Sequence, residues 1–395
     1  MVRLSLNLEE HGGSEMLTSF KMQGFRKYEE LNIDNLGRVN FILGSNNIGK
    51  TSILEGIYTW ACGQNIGPLI NIPLARCRYS GIQNSYWMME EVMAVINHRE
   101  QIPFQMSFSG VIDGKEVQFN HSIYPSDLLT EYDTSYKKVA DSTIPKTNEH
   151  TSQDPSIIIP SSIGMVQFAQ QPTVVARWEV EQNGRVVTDN ITIPVAIVSK
   201  VKPFQLAKYI DVLSHTSVSE TVQMYSSLKR EKLLEDVSNE IRKVFPEIVG
   251  FDMLPYPDGS QAPISILKKD GSLLPMYAYG DGIQRWFYIL GAIALYKNSI
   301  ICIDEIDTGF HPSAQIKFCK HLSKYAKENN VQLFVTTHNI EFVDHYLNSL
   351  NELGTEYITD ARVITLRDVD KETKTRTLSA YDAEKLREEY RMELR

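Results

Sequence analysis

The apolar run Arg38-Val-Asn-Phe-Ile-Leu43 leads directly into Gly44-Ser45-Asn46-Asn47-Ile48-Gly49-Lys50-Thr51-Ser52, and a helix-forming stretch, ILEGIYTWA, follows. The loop fits GxxxxGK[ST], and strand, glycine-containing loop and helix is the order that a phosphate-binding βα unit requires. Gly44 and Gly49 let backbone N–H groups, those of Asn46 and Asn47 among them, curl around an anion. Lys50 reaches the outer phosphates, and the Thr51 hydroxyl suits a magnesium ion. The helix that begins near Gly49 aims its positive end, with Ser52 in its first turn, at the same anion. A chain built on this unit is committed to a parallel α/β core.

The last third returns to that pattern. Ile300-Ile-Cys-Ile-Asp304-Glu305 is an apolar run ending in two acids, and Gln332-Leu-Phe-Val-Thr336-Thr337-His338 is a second ending in histidine. A helix is expected from about 312 to 328, between the two runs. Short apolar runs separated by helices read as parallel strands covered on both faces. Paired acids at the end of such a strand are expensive unless they meet a cation or a water to activate, and open α/β sheets bind ligands at that end. Asp304 therefore reads as a metal-shell residue and Glu305 as the group that polarises the attacking water. His338 either contacts the terminal phosphate or is a satisfied histidine at a strand end.

Composition narrows the class. With 395 residues, the chain has room for two or three folding units or one core with a large insertion. Its 42% hydrophobic content excludes wholesale disorder, and no stretch is apolar for long enough to span a membrane. The first residues form neither an export signal nor a transit pattern, so the chain reads as cytoplasmic. A net charge of -9 argues against a generally basic nucleic-acid coat, while leaving room for a local stripe. The four cysteines, at 62, 77, 302 and 319, form no CxxC and read as buried thiols.

Residues 17–23 read as a strand. Two hairpins are expected in the middle, turning at Asp113-Gly114 and around Gln182-Asn183-Gly184. Residues 126–160 read as a polar loop, 194–199 as a short apolar strand, and 203–246 as helical, with one amphipathic helix over 229–243. A further helix is expected at SYWMMEEVMAVINHRE and another at the C-terminus. After a glycine turn at Tyr279-Gly280-Asp281-Gly282, the residues Ile283, Trp286, Phe287, Leu290, Ile293 and Ala294 share one helical face.

The order of phosphate loop, glycine-turn helix, Asp-Glu strand and histidine strand resembles ABC-type ATPase heads, in the SMC-like, RecF-like and OLD-family variant. FRKYEELNIDNLGRVNFILGSNNIGKTSILEGI is similar to their opening. YGDGIQRWFYILGAI with IDEIDTGFHPS resembles the pattern of solitary AAA-family ATPases in prokaryotic anti-phage defence operons. The resemblance spans about 17–60 and 195–375. It implies an α/β ABC-ATPase head with a parallel-sheet P-loop core, an antiparallel β insert and a helical lobe. The expected division is 1–70 and 280–395 as the two parts of the core, 71–200 as the β-rich insert and 201–279 as the helical lobe.

The resemblance further implies ATP and Mg²⁺ as cofactors, Glu305 and His338 as catalytic residues, and an ATP sandwich in a homo-oligomer. There Gly280, Asp281 and Gly282 of one protomer would meet the γ-phosphate held by the other, although no serine stands at Gly280 as in the usual signature. Asp307, Thr308 and His311 match the dimer-contact loop, and Phe25, Arg26 and Lys27 are either the segment near the nucleotide or an aromatic strand end with solvated charges. Gln167, with Gln170 and Gln171 close by in sequence, is a candidate for the glutamine linking metal to the helical lobe. No second active site such as a Toprim domain is expected after the histidine strand, so the output is expected to be conformational. Its partner is then an operon-encoded nuclease or toxin. The alternative is a RecF/SMC-like clamp on DNA.

Overall fold

The computed structural model describes residues 16–79, 93–95, 102–126, 173–193, 201–253, 263–370 and 372–390. The N-terminal half contains β1 (Leu17–Phe25), β2 (Tyr28–Ile33), β3 (Val39–Leu43), α1 (Lys50–Cys62), α2 (Gly67–Tyr79), β4 (Phe104–Ile112), β5 (Lys115–Pro125), β6 (Thr173–Gln182) and β7 (Arg185–Ile193). Then come β8 (Ala207–Ile210), α3 (Val218–Arg230), α4 (Leu234–Arg242), β9 (Ile248–Asp252), β10 (Ser265–Lys268), β11 (Leu273–Pro275) and α5 (Met276–Tyr279). The C-terminal part is α6 (Asp281–Leu295), β12 (Ile300–Ile303), α7 (Pro312–Glu328), β13 (Gln332–Thr336), α8 (Ile340–Leu353), α9 (Thr355–Asp360), β14 (Ala361–Val369), β15 (Glu372–Ser379) and α10 (Ala380–Tyr390).

The central sheet has the order β15-β14-β3-β13-β12-β8. Its strands are parallel except β15, which returns antiparallel to β14. Alternate residues of each strand enter different cores. Val39, Phe41 and Leu43 of β3, with Ile301 and Ile303 of β12, pack with α6, α7 and α8, whereas Ile42, Ile300 and Cys302 pack with α1. Both faces are covered, which is why these strands read as unbroken apolar runs rather than alternating ones.

A six-stranded antiparallel sheet, β2-β1-β4-β5-β6-β7, lies beyond α1 and shares its core through Phe20, Trp60, Phe108 and Trp178. The two hairpins form on left-handed dipeptides, Asp113-Gly114 and Asn183-Gly184, each with positive φ at both residues. They are not a free-standing unit: β4 pairs along β1, so residues from either side of the phosphate loop build one sheet. A small sheet, β11-β10-β9, leans on α6 through Phe251 and Phe287, whose rings are 4.7 Å apart.

Two readings of the sequence need correction. Residues 203–246 are not helical throughout, because Ala207–Ile210 forms the edge strand β8. The helix expected over 229–243 is two helices. Lys232 takes a left-handed φ of 60°, and the Leu233 N–H turns back to the Leu228 carbonyl before α4 begins. The expected strand at 194–199, the polar loop from 127 onward, Gln167, and all but 93–95 of the helix expected near 85–100 lie outside the described residues.

Candidate functional site

Because β3, β13, β12 and β8 run parallel, their C-terminal ends share one edge of the sheet. The phosphate loop, Asp304-Glu305, Thr337-His338 and Asp211 leave from that edge. The loop holds its shape through backbone conformations that favour glycine: φ is 154° at Gly44 and 95° at Gly49. At Gly49 a Cβ would also lie 2.5 Å from the Tyr28 hydroxyl. That hydroxyl donates to the Ile48 carbonyl at 2.8 Å, so β2 braces the loop from outside. Burial raises the Tyr28 pKa, with the nearby Asp368 charge adding to it, so the hydroxyl stays a donor.

Lys50 is 5% exposed. Its ammonium donates to the Gly44 carbonyl at 2.8 Å and the Ser45 carbonyl at 2.9 Å, and meets His338 Nδ1 at 3.4 Å. Lysine can only donate, so Nδ1 accepts and a neutral ring carries its proton on Nε2. Nε2 faces Glu305 Oε1 at 3.8 Å. The Thr51 hydroxyl reaches both carboxylate oxygens of Asp304, at 3.1 and 3.0 Å. Thr336 donates to Asp304 Oδ1 at 2.6 Å and accepts the Glu305 N–H at 2.9 Å.

These groups surround a cavity of about 780 Å³ lined by residues that include Asn46, Asn47, Gly49, Lys50, Thr51, Ser52, Glu305 and His338. Arg26 and Lys27 also line it, whereas Phe25 is buried in the core behind. Arg26 is tied to the buried Glu55 of α1 at 2.9 Å. Glu305 and His338 are 43% and 40% exposed, open to whatever fills the cavity.

Gly280, Asp281 and Gly282 are not among the residues lining this cavity. The turn starts α6 with Gly280 as N-cap and no side-chain cap. Instead of capping, Asp281 accepts from His215 Nε2 at 2.8 Å and packs on Gly309. Gly282 approaches the Gly309 carbonyl so closely that a Cβ would lie 2.7 Å from it. The segment Asp307–Phe310 is therefore seated on the start of α6. Asp307 accepts from Thr337 at 2.5 Å, and Thr308 donates to Glu305 Oε2 at 3.4 Å.

Sequence reasoning missed three contributors: Tyr28, Thr336 and Arg285. Arg285 is completely buried and reaches the carbonyls of Asp304 and Glu305. Its proximity to the apolar face of α6 hid it, because periodicity assigns no role to a charged residue among Trp286 and Phe287.

The sequence profile described as "AAA domain" matches residues 19–248, more than half of the chain. The chain belongs to the AAA-domain ATPases. A second profile, "AAA domain, putative AbiEii toxin, Type IV TA system", matches residues 225–344 of this ATPase. The chain is 22% identical to an ATP/GTP phosphatase of Helicobacter pylori, over 83% of this chain and 87% of that protein. It is 30% identical to the DNA replication and repair protein RecF of Staphylococcus haemolyticus, over 29% of this chain and 28% of that protein. A solved SMC head bound to the C-winged helix domain of ScpA superposes with a TM-score of 0.49 at 14% identity, over 93% of this chain and 99% of that one. No helix among the described residues is long and apolar enough to cross a membrane.

Proposed function

We propose that this ATPase is a nucleotide-driven assembly switch. Two protomers close over ATP, and the change of state controls a separate effector, a nuclease or toxin, in a prokaryotic defence complex. One observation carries the reading. The cavity gathers the phosphate loop, Glu305 and His338 from one chain while the glycine turn at 280–282 stays outside it. Among the described residues, nothing lies within 4 Å of where a Cβ on Gly280 would stand, which gives a second protomer's phosphates access to the start of α6. The similarity to an ATP/GTP phosphatase supports hydrolysis, and the profile over residues 225–344, whose description names a type IV TA system, supports a place in a two-component system.

In this reading Lys50 exchanges its two loop carbonyls for the outer phosphates of ATP. That exchange loosens its contact with Nδ1 of His338. His338 Nε2 and Glu305 face the same space, so Glu305 orients and polarises the attacking water while the histidine contacts the phosphate oxygens. The hydroxyl of Thr51 and the carboxylate of Asp304, hard oxygen donors 3.0 Å apart, fit a magnesium site completed by phosphate oxygens. A magnesium ion held by these two residues would supply charge neutralisation for the phosphate oxygens. Asp304 is held ready by Thr336.

The test is steady-state ATP hydrolysis by wild type and Lys50→Ala, paired with co-purification of the neighbouring gene's product. Hydrolysis lost in the variant and a stable complex with the neighbour support the switch; wild-type hydrolysis by Lys50→Ala ends the assignment of the loop. The second reading is a RecF/SMC-like clamp, favoured by the similarity to RecF. DNA binding that is salt-dependent and appears only with ATP would select it.

A further inference from the structure

Arg285, on the second turn of α6, is completely buried and forms no ion pair among the described residues. Its guanidinium is solvated by main-chain carbonyls instead. Nη1 donates to Asp211 O at 2.9 Å and Val212 O at 3.0 Å, and Nη2 to Asp304 O at 2.6 Å and Glu305 O at 3.1 Å. These carbonyls lie just past the C-terminal ends of the neighbouring strands β8 and β12, so one planar fork staples the two chain segments that leave them. A point-charge ammonium cannot span four acceptors in that way. Burying a cation for stability alone is a poor solution, since apolar residues of similar volume commonly serve as well or better.

What the fork holds is the peptide of Glu305. That residue has a left-handed φ of 46°, a conformation that a non-glycine residue rarely adopts unless its surroundings impose it. Its N–H is bound by Thr336 Oγ1 at 2.9 Å, its carbonyl by Arg285, and the next N–H, on Ile306, by the Thr336 carbonyl at 2.9 Å. The same guanidinium meets His215 Nδ1 at 3.3 Å. His215 is buried and hydrogen-bonds Asp281 at the start of α6 through Nε2. A continuous chain of contacts therefore runs from Asp281 through His215 and Arg285 to the backbone of Glu305.

We propose that Arg285 is a positioning residue, which with Thr336 holds Glu305 in the left-handed conformation that aims its carboxylate into the nucleotide cavity. We further infer that the His215–Asp281 link makes this aim respond to contacts at the start of α6. This second limb rests on the reading in which a partner's ATP docks there.

The experiment compares full-length Arg285→Gln, Arg285→Lys, Thr336→Val, Thr336→Ser and His215→Phe with wild type. It measures kcat and KM for ATP across protein concentrations, and Kd for ADP by calorimetry. Misplacing a reacting group by an ångström costs on the order of 100-fold. Arg285→Gln should therefore lose kcat on roughly that scale with an unchanged ADP Kd, and Arg285→Lys should fail to restore it. Thr336→Val, nearly isosteric, should lose kcat in the same direction, and Thr336→Ser should recover it. His215→Phe should flatten the rise of kcat with protein concentration.

Wild-type kcat in folded Arg285→Gln overturns the proposal, as does a kcat loss matched by an equal loss of ADP binding. Should Arg285→Gln fail to fold, wild-type kcat in Thr336→Val overturns it instead. A wild-type turnover number that is independent of protein concentration removes the partner reading and the His215 limb with it. A selective kcat loss in Arg285→Gln would still stand on its own.

Discussion

His121 gives the antiparallel layer a pH dependence whose size follows from its surroundings. The ring is 1% exposed on β5, edge-on to Phe108 at 5.2 Å, with Nδ1 accepting from the Trp178 indole N–H at 3.2 Å. The tautomer is thereby set, and Nε2–H points where no partner exists among the described residues. Burial pushes the pKa from 6.5 down to about 3. Between those values the unfolded chain binds a proton that the folded chain refuses, so stability is full above pH 6.5 and falls as the solution is acidified. At pH 5 the loss is about 1.5 pH units times 1.36 kcal/mol, or roughly 2 kcal/mol.

The perturbation is His121→Phe. At pH 7.5 the exchange removes one unsatisfied donor and orphans another on Trp178, each worth about 1–3 kcal/mol, so the net change is small. Denaturant unfolding of both proteins at pH 7.5 and pH 5 isolates the proton-linked part as a double difference. Wild type should lose about 2 kcal/mol more than the variant on acidification. Equal losses in the two proteins would refute the reasoning.

Other consequences are local to the site. Tyr28→Phe removes the brace on the Ile48 carbonyl, about 1 kcal/mol, and should weaken ATP binding by about fivefold in calorimetry with little change in kcat. Gly309→Ala forces a side chain into φ 81° with its Cβ 2.6 Å from Asp281 Oδ2. It should destabilise the chain by about 1–2 kcal/mol and lower ATP-dependent self-association in sedimentation. Asp304→Asn keeps the Thr51 and Thr336 contacts within reach but removes the charge a magnesium ion needs. The magnesium concentration for half-maximal hydrolysis should therefore rise on the order of tenfold or more.

The residues that gather at the cavity were legible wherever their pattern is written locally. Gly44–Ser52, Asp304-Glu305 and His338 each sit at the end of an apolar run, and parallel strands bring such ends together without further instruction. The hairpins were legible for the same reason, since Asp-Gly and Asn-Gly specify their own turns. Strand β8 was not, because four residues, AKYI, carry no periodicity and its partner, Ile300–Ile303, lies some ninety positions away. The break at Lys232 depends on a single left-handed residue within a helix-like charge pattern. The Arg285 fork was beyond sequence reasoning altogether: its acceptors are backbone carbonyls, which every residue type supplies. The union of β1 with β4 was hidden likewise, since antiparallel pairing across the phosphate loop leaves no mark in either strand.

Mass photometry of Glu305→Gln with Mg-ATP, with Mg-ADP and without nucleotide tests whether ATP drives association and Glu305 ends it by hydrolysis. The expected result is a doubling of mass with ATP alone, persisting while ATP turnover is at least 100-fold slowed. A variant that stays at one mass under all three conditions, or that hydrolyses ATP at the wild-type rate, would contradict it.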